Sequence, residues 1–194
     1  MVAVVTGANK GIGYEIVKCL CSRIEVVVLT SRNAEHERGG LEAVAALNDQ
    51  NLYPKYHALD ILEEKSIFKL RDYLSSNFGG LDILVNNAGI AYDATSTDPF
   101  SVQAKRTLMT NYQGTKTVCD ILFPILRPGA RVVNVSSSMG WLGHLTTETE
   151  FTTPGDKVCN GLLLPNYESE GFPEPAYNFL CTYVTFKRYS AEQK

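Results

Sequence analysis

Three glycines near the start of the chain constrain its fold more than any other feature of the sequence. Gly7, Gly11 and Gly13 follow the apolar run Val2–Val5 and lead into a helical pattern of apolar residues. Glycine reaches backbone angles closed to other residues, and its missing side chain permits close approach of a ligand or a strand. The N-terminus of the helix would add free N–H groups and a partial positive charge. The spacing G-x-x-x-G-x-G between a strand and a helix therefore predicts a phosphate-binding turn, although it differs from the commoner G-x-G-x-x-G.

Short apolar runs alternate with longer amphipathic segments up to about residue 135, and this alternation predicts strands and helices. Strands are predicted at Val2–Val5, Val26–Leu29, Tyr56–Leu59, Asp82–Val85 and Arg131–Val135. Helices are predicted after the glycine turn, at about 36–48, at 63–77 and across 99–126, with a break around 110–113. Continuous apolar strands separated by helices indicate a parallel sheet covered on both faces. With right-handed crossovers this is an α/β, doubly wound, Rossmann-like fold.

The alternation stops after the fifth predicted strand. Residues 141–175 show no period and contain four prolines, which predicts an irregular insertion with a short helix near 157–163. Tyr177–Lys194 is predicted as one last helix with no sixth strand after it. The fifth strand would then leave an apolar sheet edge at which copies of the chain could self-associate. Residues 1–194 are predicted to form a single domain.

Composition excludes several classes of function. A net charge of −3 without a stripe of Lys and Arg argues against nucleic-acid binding. No apolar run approaches the ~20 residues of a membrane span, and a strand beginning at Val2 leaves no room for a leader peptide. The five cysteines are an odd number without C-x-x-C spacing, which is typical of reduced thiols in a cytoplasmic protein. His36, His57 and His144 lie too far apart in sequence to predict a metal site.

The end of the second strand predicts which dinucleotide is bound. NAD-selective sites usually place Asp or Glu there, against the ribose 2′-hydroxyl. This chain has Ser31 and Arg32 there, with Lys10 as a second cation, which favours NADP(H) because Arg matches a phosphate with a bidentate fork. The alternative is that Arg32 is a solvated charge. Asp60 suits a hydrogen bond to the adenine amine, and the alternative is a cap on the helix that follows. The predicted cofactor-binding residues are Gly7, Asn9, Lys10, Gly11, Ile12, Gly13, Arg32, Asp60, Ile61, Asn87, Ala88 and Gly89.

Two motifs together resemble the short-chain dehydrogenase/reductase family. They are the glycine turn from Thr6 to Gly13 and the segment Asn86-Asn87-Ala88-Gly89. Residues 9–13, 79–82, 86–91 and 131–137 are similar to the cytosolic NADPH-dependent carbonyl reductases within that family. The resemblance covers residues 2 to about 180. It implies NADPH-dependent reduction of ketones, aldehydes and quinones to alcohols in the cytoplasm, with a small-molecule carbonyl substrate. The long insertion resembles that of the carbonyl reductases and implies a monomer.

The resemblance also implies a catalytic set and a substrate cleft. Asn111 matches the family Asn that maintains a helix kink and a water of the proton relay. Ser137 matches the Ser that polarises the substrate carbonyl, with Ser136 and Ser138 as alternatives, and Tyr177 matches the general acid. The implied substrate-binding residues are Tyr92, Gln103, Ser137 and Trp141, where Trp141 is either a cleft wall or a packing residue.

The chain departs from the family pattern after Tyr177. The family has a Lys four residues beyond the Tyr, where it lowers the tyrosine pKa, whereas this chain has Cys181. Tyr183 and Lys187 offer a second Tyr-x-x-x-Lys pair, although on a helix that pair faces about 120° away from Tyr177. The two further strands of the family are missing, so the chain is expected to be C-terminally shortened. The alternative to an active reductase is therefore a catalytically impaired NADPH-binding or partner-binding isoform.

Overall fold

The computed structural model describes residues 1–32, 39–93, 95–136 and 186–188. In chain order the elements are β1 (Val2–Val5), α1 (Gly11–Cys21), β2 (Val26–Ser31), α2 (Gly40–Asn48), β3 (Lys55–Ala58), α3 (Glu64–Phe78), β4 (Leu81–Asn86), α4 (Phe100–Thr107), a π-helix (Leu108–Gly114), α5 (Thr115–Leu122), a 3₁₀-helix (Phe123–Ile125), β5 (Leu126–Asn134) and β6 (Phe186–Arg188).

The strands form one sheet in the order β3-β2-β1-β4-β5-β6. Strands β1 to β5 are parallel, and β6 is antiparallel to β5. The order reverses between β1 and β4, so the connections diverge there and leave a crevice at the carboxyl ends of these strands. The predicted doubly wound, Rossmann-like fold is confirmed.

Alternating side chains of β1 enter cores on opposite faces of the sheet. Val4 packs in a cluster with Ile67 of α3 and Val118 of α5. Val5 packs in a second cluster with Val17 of α1 and other residues of α1 and α2. Successive side chains of a strand point to opposite faces, so an unbroken valine run places apolar groups in both cores. This explains why the buried strands show continuous apolar runs.

The helix predicted across 99–126 is interrupted, as expected. Its break at Thr110–Gln113 falls inside the π-helix that separates α4 from α5. Its end was predicted too late, because β5 already begins at Leu126 and not at Arg131. Pro128 and Gly129 lie within β5, next to a register shift in its pairing with β4.

The last helix, predicted over Tyr177–Lys194, is wrong at Phe186–Arg188. These residues form β6, and Phe186 pairs with Val133 of β5. The prediction that β5 would be left as a free edge is therefore wrong as well. An edge strand carries unpaired N–H and C=O groups, and pairing with another strand satisfies them whatever the local helical spacing suggests. The predicted insertion at 141–175 lies outside the described residues.

An ion pair joins three strands at the end of the sheet opposite the crevice. Asp82 Oδ2 accepts hydrogen bonds from the Val2 amide at 2.6 Å and from Arg127 Nη1 at 2.7 Å. Arg127 Nη2 also donates to the Phe78 carbonyl. The amino ends of β1 and β4 are thus connected to the start of β5. Within the described ranges, no helix is long and apolar enough to cross a membrane.

Candidate functional site

A cleft of about 520 Å³ opens at the carboxyl ends of β1 and β4, where the strand order reverses. This volume is in the usual range for small-molecule sites. Eleven of the twelve predicted cofactor-binding residues line it: Gly7, Asn9, Lys10, Gly11, Ile12, Arg32, Asp60, Ile61, Asn87, Ala88 and Gly89. The twelfth is Gly13. Sequence reasoning did not assign four further lining residues, Leu59, Leu62, Ile90 and Thr110, each of which is the chain neighbour of a residue that it did assign.

Two of the glycines are required by close packing behind the cleft. Gly7 has a φ of +61°, and a Cβ there would lie 2.8 Å from the Ala88 Cα. Gly13 is buried in α1, and a Cβ there would lie 2.9 Å from the Ala8 Cα and against the Asn87 amide. Gly13 therefore permits α1 to approach the turn and the end of β4, which explains its absence from the lining.

The third glycine faces open space. Gly11 has a φ of +59°, and a Cβ there would meet nothing within 4 Å. It is the first residue of α1, whose N-cap residue, Lys10, makes no capping hydrogen bond with its side chain. The first turn of α1 also contains no acidic residue. The cleft is therefore lined by a helix N-terminus whose N–H groups have no side-chain cap, which is a favourable arrangement for an anion such as a pyrophosphate.

Thr6 and Asn87 hold the glycine turn against the end of β4. The buried Thr6 Oγ1 accepts hydrogen bonds from the Asn87 and Ala88 amides at 3.0 and 2.9 Å. The Asn87 Nδ2 donates to the carbonyls of Thr6 and Gly7 at 2.9 and 3.0 Å. These contacts span about 80 residues of sequence. Asn87 therefore both holds the turn in place and lines the cleft, whereas Thr6 holds the turn in place without lining the cleft.

The lining carries two cations, Lys10 and Arg32, and one carboxylate, Asp60, among the described residues. Arg32 follows Ser31, which is buried at the end of β2. The Tyr56 hydroxyl donates to the Ser31 carbonyl at 3.3 Å. Of the described residues at the end of β2, Arg32 lines the cleft and none is acidic.

Asp60 forms a local turn and does not cap α3. Its Oδ1 accepts a hydrogen bond from the Leu62 amide at 2.9 Å, and its own amide donates to Ser66 Oγ at 3.0 Å. The N-cap residue of α3 is Glu63, so the alternative interpretation of Asp60 as a helix cap is wrong. The Asx-type turn orients the carboxylate at the edge of the cleft that Asp60 lines.

Asn111 connects the π-helix to the segment that follows β4. Its Oδ1 accepts a hydrogen bond from the Ile90 amide, and its Nδ2 donates to the Ile90 carbonyl, both at 2.8 Å. A Cβ at Gly89 would lie 3.2 Å from Asn111 Oδ1. Ile90 and Thr110, on either side of this contact, both line the cleft. π-Helical turns are frequent at functional sites because they re-aim a side chain without ending the helix.

The other predicted site residues are divided between described and undescribed parts of the chain. Tyr92 and Gln103 are described, but neither lines the cleft; Tyr92 lies 3.4 Å from Arg106, and Gln103 Nε2 donates to the Asp98 carbonyl. Ser137, Trp141 and Tyr177 lie outside the described residues, as do Ser138, Cys181 and Tyr183. Lys187 lies in β6, so the one-turn helical spacing assumed for the alternative Tyr183/Lys187 pair does not apply to it.

The described residues contain no group of three His, Cys, Asp or Glu that could hold a metal ion.

Comparison with known proteins agrees with this arrangement. The model of the short chain dehydrogenase family matches residues 1–148. Carbonyl reductase (NADPH) 1 of Bos taurus is 42% identical over 191 residues, which cover 91% of this chain and 68% of that protein. Carbonyl reductase (NADPH) 3 of Rattus norvegicus is also 42% identical, with the same coverage of both chains.

Solved structures give the same result at the level of the fold. Menthone neomenthol reductase from Mentha piperita superimposes with a TM-score of 0.64 at 33% identity, covering 78% of this chain and 68% of that one. A short-chain dehydrogenase/reductase from Serratia marcescens, solved as a double mutant, superimposes with a TM-score of 0.62 at 26% identity, covering 72% of this chain and 56% of that one. The family match, the relatives and the fold confirm the resemblance noted in the sequence: the chain belongs to the short-chain dehydrogenase family.

Proposed function

We propose that this chain binds NADP(H) in the cleft and reduces ketones, aldehydes and quinones to alcohols. The observation that carries the proposal is that Lys10 and Arg32 line the same cleft as the glycine turn and the uncapped start of α1. The names of the relatives, NADPH-dependent carbonyl reductases, support the same cofactor and reaction.

The residues that line the cleft have the chemistry that such a dinucleotide requires. Gly11 and the first N–H groups of α1 would receive the pyrophosphate, because a glycine there leaves the space open. Lys10 and Arg32 would bind the 2′-phosphate, and Asp60 would accept a hydrogen bond from the adenine amine. When bound, NADPH supplies the hydride that reduces the carbonyl carbon.

Three residues would act on the substrate and the proton. Ser137 would donate a hydrogen bond to the carbonyl oxygen, and Tyr177 would give that oxygen its proton as the hydride arrives at the carbon. Asn111 would keep the π-helix and Ile90 in place beside the reacting groups, through its two hydrogen bonds. Water in contact with the π-helix would complete the proton relay.

Cys181 favours a second candidate function, that of an NADPH-binding protein with little or no turnover. A tyrosine hydroxyl has a pKa near 10, and a nearby cation is the usual means of lowering it. The family uses a Lys at the position of Cys181, and a thiol is mostly neutral at pH 7. Without that cation, much of the ~10²–10⁴-fold contribution of proton transfer would be lost. The chain would then bind cofactor, or a protein partner, without efficient catalysis.

Two measurements on the purified chain separate these functions. NADPH binding is followed by the cofactor's fluorescence, and turnover is followed by NADPH oxidation with a reactive quinone or dione. NADPH binding with turnover supports the reductase, and NADPH binding without turnover supports the second candidate. Absence of NADPH binding excludes both the reductase and a catalytically impaired NADPH-binding protein. Cys181→Lys should raise kcat at least roughly tenfold if Tyr177 is the acid. No gain would contradict the assignment of Tyr177.

Cofactor selectivity has its own test. Arg32→Ala should weaken NADPH binding roughly tenfold or more and leave NADH binding unchanged, because only NADPH carries the 2′-phosphate. Arg23→Ala is the matched control, since Arg23 is an exposed arginine beyond α1 that does not line the cleft. Equal losses for both cofactors would contradict the NADP(H) assignment.

Cytoplasmic location and a monomeric state remain predictions. The location follows from the odd number and the spacing of the cysteines and from the resemblance to cytosolic carbonyl reductases, and the monomer follows from the insertion predicted at 141–175. Fractionation of the cells that express the chain tests the first. Light scattering on the purified chain, across a range of concentrations, tests the second.

A further inference from the structure

The carbonyl of Ser31, the last residue of β2, accepts hydrogen bonds from two donors. The Leu59 amide donates to it at 2.9 Å, and the Tyr56 hydroxyl donates to it at 3.3 Å. The Tyr56 hydroxyl also lies 3.4 Å from Ser31 Oγ, so the tyrosine contacts both the backbone and the side chain of the serine. Ser31 is only 3% exposed, so its carbonyl depends on partners within the protein in place of water.

Packing holds the Tyr56 ring in the position from which its hydroxyl reaches Ser31. The ring is half-buried and packs on the second core cluster, on the face of the sheet covered by α1 and α2. It also lies against Gly40, the first residue of α2, where a Cβ would be 1.9 Å from Tyr56 Cε2 and 2.6 Å from Ser31 Oγ. Because Gly40 has no side chain, the start of α2 approaches the Tyr56–Ser31 contact closely and leaves the ring little freedom to move.

The Ser31 carbonyl belongs to the peptide bond that leads into Arg32. A peptide group is planar, so the orientation of this carbonyl also sets the orientation of the Arg32 amide and the direction of the Arg32 Cα. Arg32 lines the cleft, and so do Leu59, Asp60 and Ile61. The Ser31 carbonyl therefore joins two segments of the cleft lining, Arg32 on one side and the residues from Leu59 onward on the other.

The two donors to this carbonyl act on different segments. The Leu59 amide continues the parallel pairing of β2 with β3, in which Ser31 is the partner of Ala58. This backbone bond keeps Leu59 in place whether or not residue 56 carries a hydroxyl. The Tyr56 hydroxyl is an additional bond from a side chain, so its loss should loosen the peptide between Ser31 and Arg32 and leave the backbone at Leu59 in place.

We propose that Tyr56 is a positioning residue for Arg32: its hydroxyl fixes the end of β2 so that the Arg32 guanidinium meets the 2′-phosphate of NADP(H). The inference rests on the proposed NADP(H) site. A guanidinium binds a phosphate through a planar fork of N–H groups, so the strength of binding depends on where the fork lies and how it is oriented. Selectivity for the phosphorylated cofactor then depends on a tyrosine that does not itself line the cleft.

The test compares the binding of 2′,5′-ADP with that of 5′-ADP, which lacks the 2′-phosphate, by calorimetry on the purified chain. Neither probe carries nicotinamide, so the result does not depend on turnover. Tyr56→Phe should weaken 2′,5′-ADP binding about threefold to tenfold, the size expected for the loss of one hydrogen bond, and should leave 5′-ADP binding unchanged. In an Arg32→Ala background, Tyr56→Phe should have no further effect on 2′,5′-ADP, because the hydroxyl acts through that guanidinium.

Tyr53→Phe is the matched control, since Tyr53 is 69% exposed, its hydroxyl bonds to Asn51, and it does not line the cleft. This variant should bind both probes like the wild type. A structural role alone for the Tyr56 hydroxyl would change the affinity for both probes alike or lower only the melting temperature. The ratio of the two dissociation constants does not depend on the fraction of folded protein, so it stays measurable if Tyr56→Phe is less stable.

Three outcomes would each overturn the positioning role. They are wild-type affinity of Tyr56→Phe for 2′,5′-ADP, equal losses for the two probes, and an undiminished effect of Tyr56→Phe in the Arg32→Ala background. A wild-type chain that binds 2′,5′-ADP no more tightly than 5′-ADP would overturn the proposed NADP(H) site and this inference together. A selective wild type with an unaffected Tyr56→Phe variant would overturn the inference alone, so the two failures are distinguishable.

Discussion

The side chain of Asn111 forms a closed pair of hydrogen bonds with the backbone of Ile90, through Oδ1 to the amide and Nδ2 to the carbonyl. The pair bridges 21 residues of sequence and joins the π-helix to the segment after β4. Because both polar atoms of the amide are used, neither a carboxylate nor a hydrocarbon can replace it.

Asn111→Asp should therefore destabilise the chain by about 1–3 kcal/mol, because a carboxylate cannot donate to the Ile90 carbonyl and leaves it unpaired. NADPH binding should weaken as well, since Ile90 lines the cleft. Urea unfolding and fluorescence titration measure the two effects. Gln113→Ala, an exposed position in the same π-helix, is the control and should change neither quantity by much.

The glycines of the turn should respond differently to alanine. At Gly13 a Cβ would lie 2.9 Å from the Ala8 Cα, so Gly13→Ala should reduce stability by about 1–3 kcal/mol through overpacking. At Gly11 a Cβ meets no atom within 4 Å, so Gly11→Ala should cost about 1 kcal/mol from its positive φ alone. Because that methyl group would occupy the cleft, Gly11→Ala should weaken NADPH binding more than its stability loss explains. Thermal melts with and without NADPH measure both quantities, and identical behaviour of the two variants would contradict these assignments.

Sequence reasoning identified this site because the groups that form it are local in the chain. The spacing of Gly7, Gly11 and Gly13 determines a turn and a helix start within a few residues, and Arg32 follows a strand that is recognisable from its valines. The role of Thr6 was not predicted, because its hydroxyl binds the Asn87 and Ala88 amides, about 80 residues away. Such a contact arises when β1 and β4 pair, which residue spacing alone does not specify.

Errors elsewhere in the prediction have the same origin. Pro128 and Gly129 are turn formers by propensity, yet they lie in β5 because pairing with β4 continues beyond Arg131 to Leu126. Lys187 lies within Tyr177–Lys194, the segment predicted as a helix, yet it pairs with Val132. In both places a strand partner that is distant in sequence outweighs local preference. The interruption at Thr110–Gln113 was predictable, but the two bonds from Asn111 to Ile90 that accompany it were not.

The Asp82–Arg127 ion pair should contribute to stability and not to cofactor binding. Asp82→Asn weakens the hydrogen bonds to the Val2 amide and to Arg127. Because the side chains of Asp82 and Arg127 are both partly buried, this change should lower the free energy of unfolding by about 1–3 kcal/mol. The pair lies at the opposite end of the sheet from the cleft, so the NADPH dissociation constant should not change. Asp72→Asn is the matched control, because the Arg71–Asp72 pair is more exposed and should be worth less than about 1 kcal/mol. Equal unfolding free energies for the two variants would show that Asp82 has no special role.

His57 should make the stability of the chain depend on pH near neutrality. It lies on β3 with its ring 5.0 Å from that of Tyr73, and its Nδ1 lies 2.7 Å from the Ala58 carbonyl. Burial lowers the pKa of His57 below its ordinary 6.5, the hydrogen bond to Ala58 opposes this shift, and Lys69 adds to it. Below about pH 6.5 the unfolded chain therefore binds more protons than the folded one, and the free energy of unfolding should fall as the pH decreases through that range.

His57→Gln removes the titrating group and with it this pH dependence. When the pH is lowered from 7.5 to below about 6.5, the wild type should therefore lose more unfolding free energy than the variant. Urea unfolding at a series of pH values measures this difference, and a difference that stays constant with pH would mean that His57 titrates alike in the folded and unfolded chains.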